Sequence, residues 1–343
     1  MKSLKRGSRL ITLMISVFII GMIVLIAKIQ MEASFYISNS GSRNLGYIYD
    51  RNGDIIFDDN AENGQYPDGY FKDLGNLIGD ASGQMTNTLV AKNLEKLSNY
   101  SFTSGITYKG GKAAIYSTLS HEANEAVYSA FGDKDGCAIA YNYKTGEILV
   151  CVSRPSVDPL KGYEDLAEGS LLCKAFYKTV PGSTQKIATL ISAVETMGMD
   201  ALMEKSFTCN GVYTNNTGLD IVCHNEYGHG TQNIREAFAN SCNPFFAQLV
   251  EDSGWSLSDI EDCYKKLGYS VNGSEETEIS IDGIISSKAS TTLEDKNEFN
   301  TQWSCIGQGT SLVSPCQLMM WQSAIANESG KSTMPYLIDH VTN

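Results

Sequence analysis

From Leu10 to Ala27 the chain is almost uninterrupted apolar sequence, led by Lys2, Lys5, Arg6 and Arg9 and closed by Lys28. In water such a run has no partner for its exposed surface. As a helix it is long enough to cross the hydrocarbon core of a bilayer, which takes roughly 20 residues. The leading cations favour a cytoplasmic N-terminus. The run is longer than a typical signal-peptide core, and no small-x-small cleavage site follows cleanly through Ile29-Gln30-Met31-Glu32. The pattern therefore predicts a cytoplasmic tail over 1–9 and an uncleaved signal-anchor over 10–28. The chain is then a single-pass cell-membrane protein with its bulk extracytoplasmic.

The formal net charge is −13, and it is more negative still once the N-terminal cations are set aside. An acidic ectodomain repels phosphate backbones, which argues against a nucleic-acid partner. The roughly 300 residues beyond the anchor can bury one good core and a small extra module. Nine cysteines are many for an exported chain, and the number is odd. Cys209 and Cys223 flank a polar, turn-rich segment and could staple it as a disulfide. Cys209, Cys223, His224 and His229 offer a zinc site as the alternative, although the spacing lacks a C-x-x-C knuckle. Cys137, Cys151, Cys173, Cys242, Cys263, Cys305 and Cys316 lie mostly in apolar surroundings and read as small core residues.

Residues 31 to about 110 are polar and turn-rich, with a hairpin over 46–57 turning at Asn52-Gly53. Residues 120–131 make an amphipathic helix. Two β-rich runs at 137–142 and 147–152, joined through Tyr143-Lys144-Thr145-Gly146, form a second hairpin. The stretch from about 200 to 230 reads as loop-rich, and 270–300 as a polar, acidic surface excursion. Helices are expected over Ile234 to Ala239, from Phe245 onward, and over Ser314 to Ala326 with Pro315 in the first turn.

Pro181-Gly182-Ser183-Thr184-Gln185-Lys186 precedes a further helix, in which Ile187, Leu190, Ile191 and Val194 recur at helical spacing and Gly198 makes a stop. Ser183 and Lys186 then share one face of its first turn. A serine hydroxyl is a weak nucleophile until a base takes its proton, and a lysine serves as that base when burial lowers its pKa. Ser241-Cys242-Asn243 supplies a second hydroxyl, able to relay a proton, and an amide able to orient a peptide. Alone, each pattern is weak; Ser42-Arg43-Asn44 and Ser270-Val271-Asn272 also read S-x-N.

Their order along the chain is more specific. An anchor is followed by Tyr49-Asp50-Arg51-Asn52-Gly53, by Lys144-Thr145-Gly146-Glu147-Ile148-Leu149 and by Pro155-Ser156-Val157-Asp158-Pro159. Then come Ser183 to Lys186, His229-Gly230, Ser241 to Asn243, Gly307-Gln308-Gly309 and Ser314-Pro315-Cys316-Gln317-Leu318. Over residues 43–343 this order resembles the transpeptidases of the penicillin-binding proteins, a group that carries S-x-x-K as a signature. The bitopic anchor resembles class B members.

The resemblance implies an α/β (α+β) serine transpeptidase or β-lactamase-like domain over 115–343, after a short juxtamembrane module over 29–114 that contains β structure. It also implies a peptidoglycan D,D-transpeptidase. Ser183 would attack the penultimate D-Ala carbonyl of a stem peptide, with Lys186 as base, Ser241 as proton relay and Asn243 as substrate-positioning group. β-Lactams would acylate the same serine, cell-wall glycosyltransferases would be partners, and no metal or organic cofactor is needed.

One element departs from the family pattern. The third motif, Lys-Thr/Ser-Gly on a strand after the Gly-x-Gly segment, has no match after Ser183 in residues 1–343, and Lys144-Thr145-Gly146 belongs to the early hairpin turn. The sequence therefore leads us to expect a domain incomplete at its C-terminus. It also leads us to expect slow acylation and poor cross-linking from these residues alone, because one lost oxyanion donor can cost about 10²–10³ in rate. A catalytically inactive scaffold or binding protein of the cell-wall machinery is the competing reading.

Overall fold

The computed structural model describes residues 2–31, 45–58, 72–80, 82–98, 100–101, 105–106, 113–158, 161–275 and 277–342. Ser42-Arg43-Asn44, Pro159 and Asn343 lie outside them. The first helix, Lys2–Met31, contains the 19-residue stretch Ile11–Ile29, whose mean hydropathy is 2.5 and of which none is buried against the rest of the chain. It is long and apolar enough to cross a membrane.

Two cores organise the chain beyond this helix. The first is built on a four-stranded sheet in the order Ile338–Thr342, Ala114–Ser117, Tyr47–Tyr49, Ile55–Asp58. Tyr47–Tyr49 runs antiparallel to Ile55–Asp58 and parallel to Ala114–Ser117. The Asn52-Gly53 turn is held by Asp50, whose buried carboxylate accepts from the Asn52 and Asp54 amides at 2.7 and 2.9 Å. The other Asp50 oxygen accepts from the His121 amide at 3.1 Å, tying this turn to the helix His121–Ala130. Residues on both sides of position 114 thus contribute to one sheet and one core.

The hairpin Gly136–Tyr141 with Ile148–Arg154 closes against this core. Asn124, fully buried in the helix His121–Ala130, accepts from the Cys151 amide at 2.9 Å and donates to the Leu149 carbonyl at 3.0 Å. Helix Pro315–Ala326 packs against Gly136–Tyr141.

The second core is mainly helical. Lys186–Met197 packs against Leu257–Lys266 and Phe299–Ile306, and Asn243–Glu251 packs against Phe299–Ile306. The apolar stripe of Ile187, Leu190, Ile191 and Val194 suggests a buried face, but those four residues are only partly buried. The fully buried face is offset from it and consists of Lys186, Ala188, Thr189, Ser192 and Ala193. Small side chains there let neighbouring helices approach closely and seal the lysine among them.

Two expectations are corrected. The 200–230 stretch is not only loop: it holds the helix Met199–Glu204 and two ribbons, Ser206–Cys209 with Gly230–Asn233 and Val212–Thr214 with Asp220–Val222. Nor is 270–300 a surface excursion. Tyr269–Val271 pairs with Ala289–Thr291, and Glu278–Ile281 pairs with Ile284–Ser287 around Asp282-Gly283, both at positive φ. Ile279, Ile281 and Ile284 enter the first core. The Asp282 carboxylate accepts from the Leu337 and Ile338 amides at 2.7 and 2.9 Å, leading the last described strand into the sheet.

Candidate active site

Ser183 stands exposed in a 3₁₀ turn, Gly182–Gln185, from which the helix Lys186–Met197 continues. The turn is locked from the opposite side by the Gly307 cap of Phe299–Ile306. Gly182 N–H donates to the Gly307 carbonyl at 2.9 Å. A Cβ at Gly307, whose φ is +105°, would lie 1.7 Å from the Gly182 carbonyl oxygen. Here only glycine permits the approach.

Below Ser183, Lys186 is only 1 % exposed. Its Nζ reaches Ser183 Oγ at 2.8 Å, the Ser241 carbonyl and Oγ each at 3.1 Å, and Asn243 Oδ1 at 2.7 Å. An ammonium has three protons for these four acceptors, so they are shared. No carboxylate appears among these contacts. Burial therefore acts on the charged form with little opposition and lowers the Lys186 pKa from 10.5 to about 8. The face of Phe246, 5.9 Å from Nζ, forms part of the apolar surround.

The second motif is aimed by its local backbone. Helix Ile234–Ala239 starts in a reciprocal capping box between Asn233 and Glu236 and ends just before Ser241, which takes φ +50°. A left-handed serine is uncommon and costs on the order of 1 kcal/mol or more. It turns both the carbonyl and the hydroxyl of Ser241 toward the lysine. Asn243 begins the next helix, with Pro244 in its first turn, and its Nδ2 donates to the Val222 carbonyl at 3.0 Å. The amide is thus oriented at both ends.

The structure brings the four sequence-derived residues Ser183, Lys186, Ser241 and Asn243 into one cluster, and it places Lys144 elsewhere. Lys144 and Thr145 are in the 136–154 hairpin turn, where Asn142 Oδ1 accepts from both amides and Thr145 Oγ1 donates to Glu147. The helix Lys186–Met197 does not rest mainly on that hairpin as its partner, since the two belong to different cores.

Sequence reasoning did not find the supports beneath the cluster. Gln185 is fully buried; it donates to Tyr264 OH at 3.1 Å and accepts from Tyr269 OH. Thr189, one turn on, shares a 2.8 Å hydrogen bond with Tyr264 OH and donates to the Cys305 carbonyl at 2.5 Å. The signal for this was the i,i+4 polar pair Gln185 and Thr189 within an otherwise apolar helical pattern.

The nine cysteines are free thiols, so Cys209 and Cys223 do not form the expected disulfide. Cys209, Cys223, His229 and Cys242 bring their ligand atoms within 4.8 Å of one another. The zinc set read from the sequence included His224 instead of Cys242. His224 is exposed, with Nδ1 4.0 Å from Cys223 Sγ, whereas Cys242 is fully buried ahead of the helix Asn243–Glu251.

Residues 136–343 match the family model described as the penicillin binding protein transpeptidase domain. Stage V sporulation protein D of Bacillus subtilis is 32% identical over 213 residues, which is 60% of this chain and 31% of that protein. Peptidoglycan D,D-transpeptidase PbpA of Mycolicibacterium smegmatis is 27% identical over 259 residues, 69% of this chain and 50% of that protein. The matched region therefore spans half or less of each of these relatives. Among solved structures, PBPA from Mycobacterium tuberculosis superposes with a TM-score of 0.71 at 19% identity, covering 88% of this chain and 74% of that one. That protein has also been solved as a ceftriaxone acyl-enzyme complex. At this identity the likeness shows a shared α/β fold.

Proposed function

The chain belongs to the penicillin-binding protein transpeptidase family, and from that membership we propose that it is a peptidoglycan D,D-transpeptidase acting through an acyl-enzyme on Ser183. The observation that carries the reading is the buried Lys186 amine, 2.8 Å from an exposed Ser183 hydroxyl and shared with Ser241 and Asn243. The similarity to the mycobacterial D,D-transpeptidase and the acyl-enzyme state of the solved homologue support it.

In this mechanism neutral Lys186 takes the Ser183 proton as Oγ attacks the penultimate D-Ala carbonyl. Negative charge developing on the carbonyl oxygen is favoured at the head of the helix. Cleavage of the amide expels terminal D-Ala, whose nitrogen receives a proton from Lys186 through the Ser241 hydroxyl. An amine from a second stem peptide then attacks the ester and gives its proton to the same relay. A new amide forms and Ser183 Oγ is reprotonated. Asn243, oriented by Lys186 and the Val222 carbonyl, is proposed to position the substrate. A β-lactam would be opened by the same attack. The apolar helix Lys2–Met31 is proposed to hold this domain at the outer face of the cell membrane.

The test is labelling of the full chain in detergent with a fluorescent penicillin, followed by mapping of the adduct. A Ser183-linked adduct that disappears in Ser183→Ala and persists in Thr184→Ala is expected. Label that survives Ser183→Ala overturns the assignment of the nucleophile. A folded wild-type chain that takes no label favours the scaffold reading.

A further inference from the structure

Beside the serine–lysine cluster lies a second group of chemically distinctive side chains. Cys209 ends the strand Ser206–Cys209, Cys223 follows Asp220–Val222, His229 precedes Gly230–Asn233, and Cys242 separates Ser241 from Asn243. The three thiols are 1 %, 5 % and 0 % exposed. Their sulfurs and one imidazole nitrogen all fall within 4.8 Å of one another, and Cys223 Sγ is 3.5 Å from His229 Nδ1.

The convergence is enforced by backbone contacts. His229 N–H donates to the Cys209 carbonyl at 3.0 Å, and Cys223 N–H donates to the Gly211 carbonyl at 2.8 Å. Gly228, at φ +78°, lets its loop lie against Cys209; a Cβ there would be 2.2 Å from the Cys209 carbonyl oxygen. The loops are therefore held together without any bond between the sulfurs. Three sulfurs and an imidazole nitrogen around one point form a soft, four-atom donor set of the kind that closes a structural zinc site. At the usual Zn–S and Zn–N lengths of about 2.3 and 2.0–2.1 Å, neighbouring ligand atoms in a tetrahedron stand about 3.5–3.8 Å apart. The Cys223–His229 pair already has this separation, and the other pairs need only a modest contraction.

We propose that Cys209, Cys223, His229 and Cys242 bind one zinc ion as a closed, four-coordinate structural site. Binding converts the three thiols to thiolates and releases their protons to solvent, while His229 binds as the neutral ring through Nδ1. No electron is transferred. Because Cys242 is covalently bonded to both Ser241 and Asn243, the ion fixes the backbone that aims these residues at Lys186. Cys242 is thus a positioning residue. This second claim, unlike the metal site itself, rests on the transpeptidase reading above.

The experiment is metal analysis of the full chain purified in detergent under reducing conditions with added zinc. About one tightly held zinc per chain is expected. Co²⁺ in its place should give tetrahedral d–d bands together with thiolate-to-metal charge-transfer absorption. Cys209→Ser and His229→Ala should each weaken zinc binding by more than the roughly 10–100-fold typical of losing an outer-shell partner. Cys263→Ser, at a buried thiol outside the cluster, should leave it unchanged. A variant that fails to fold is replaced by chelator titration of the wild type, read by thiol reactivity; the ion should protect the three cluster thiols and no others. Absence of zinc from the folded chain overturns the proposal. So does zinc retained equally by Cys209→Ser and His229→Ala, or a Cys209–Cys223 disulfide found by peptide mapping. If zinc binds but its removal leaves penicillin labelling unchanged, only the positioning claim falls.

Discussion

Replacing Lys186 by methionine should abolish acylation and remove the rise in stability that the buried amine gives at alkaline pH. Lys186 is 1 % exposed, and its pKa is lowered from 10.5 to about 8, first of all by burial. That displacement corresponds to about 3 kcal/mol of preference against the charged form in the folded state. The sign follows from proton linkage. Below pH 8 the lysine is charged in both states and the full cost is present. Between about 8 and 10.5 the unfolded chain holds the proton and the native one does not, so native stability rises with pH; above 10.5 the cost is gone. Methionine keeps the aliphatic volume and removes the charge. It also removes the donor shared by Ser183, Ser241 and Asn243, and each buried acceptor left unsatisfied costs about 1–3 kcal/mol. At pH 7 the two effects largely offset; between pH 7 and pH 10 the wild type should gain about 2–3 kcal/mol on the variant, several degrees in Tm for a body of this size. Thermal unfolding of the wild type and Lys186→Met at pH 7 and pH 10, in the same detergent, measures it. The variant should fall behind the wild type at pH 10, and its penicillin labelling should be absent throughout. A stability difference between the two that does not change from pH 7 to pH 10 refutes the account of a charge buried at a cost.

Acylation by a β-lactam should rise with pH and level off above about 8, since only about a tenth of Lys186 is neutral at pH 7; a pH profile of single-turnover labelling reads this directly. Ser241→Gly tolerates the left-handed backbone but removes the relay hydroxyl, and should slow acylation by about 10²–10⁴-fold with little change in Tm. Gly307→Ala should lose labelling and destabilise the fold by several kcal/mol, roughly, because its Cβ meets the Gly182 carbonyl at 1.7 Å; an active Gly307→Ala would show that the turn below Ser183 can shift freely. Gln185→Leu leaves the buried Tyr269 hydroxyl without its acceptor, while Tyr264 keeps Thr189, and should cost about 1–3 kcal/mol in denaturant unfolding, with acylation weakened through the displaced turn.

Local chemistry made several parts legible in advance. The Asn52-Gly53 turn, the 136–154 hairpin and the helices opened by Ser120, Asn233 and Ser314 arise from short-range signals that act wherever the chain folds. The hairpin around Asp282-Gly283 had the same kind of signal, with Glu278-Ile279-Ser280-Ile281 alternating before it. It was hidden by the acidic composition around it. Exposed and buried positions alternate there, so a polar average conceals a strand whose isoleucines are in the core.

The sequence by itself determined the apolar span at the N-terminus, the acidic charge, the three-residue spacing of Lys186 from Ser183, and the helix that starts at Lys186; that Ser183 sits ahead of it in a 3₁₀ turn did not follow from the pattern. These depend on residues close together along the chain. Which face of that helix is buried, how far Lys186 is dehydrated, and that Ser241 and Asn243 lie within 3.1 and 2.7 Å of its amine were decided by the tertiary structure. So was the replacement of His224 by Cys242 in the sulfur-rich cluster. The physical reason is that burial and hydrogen-bond partners belong to surfaces, and a residue's neighbours across a core come from segments far away in sequence. A pattern of residue types can nominate such groups, but only packing sets the distances that give them their chemistry.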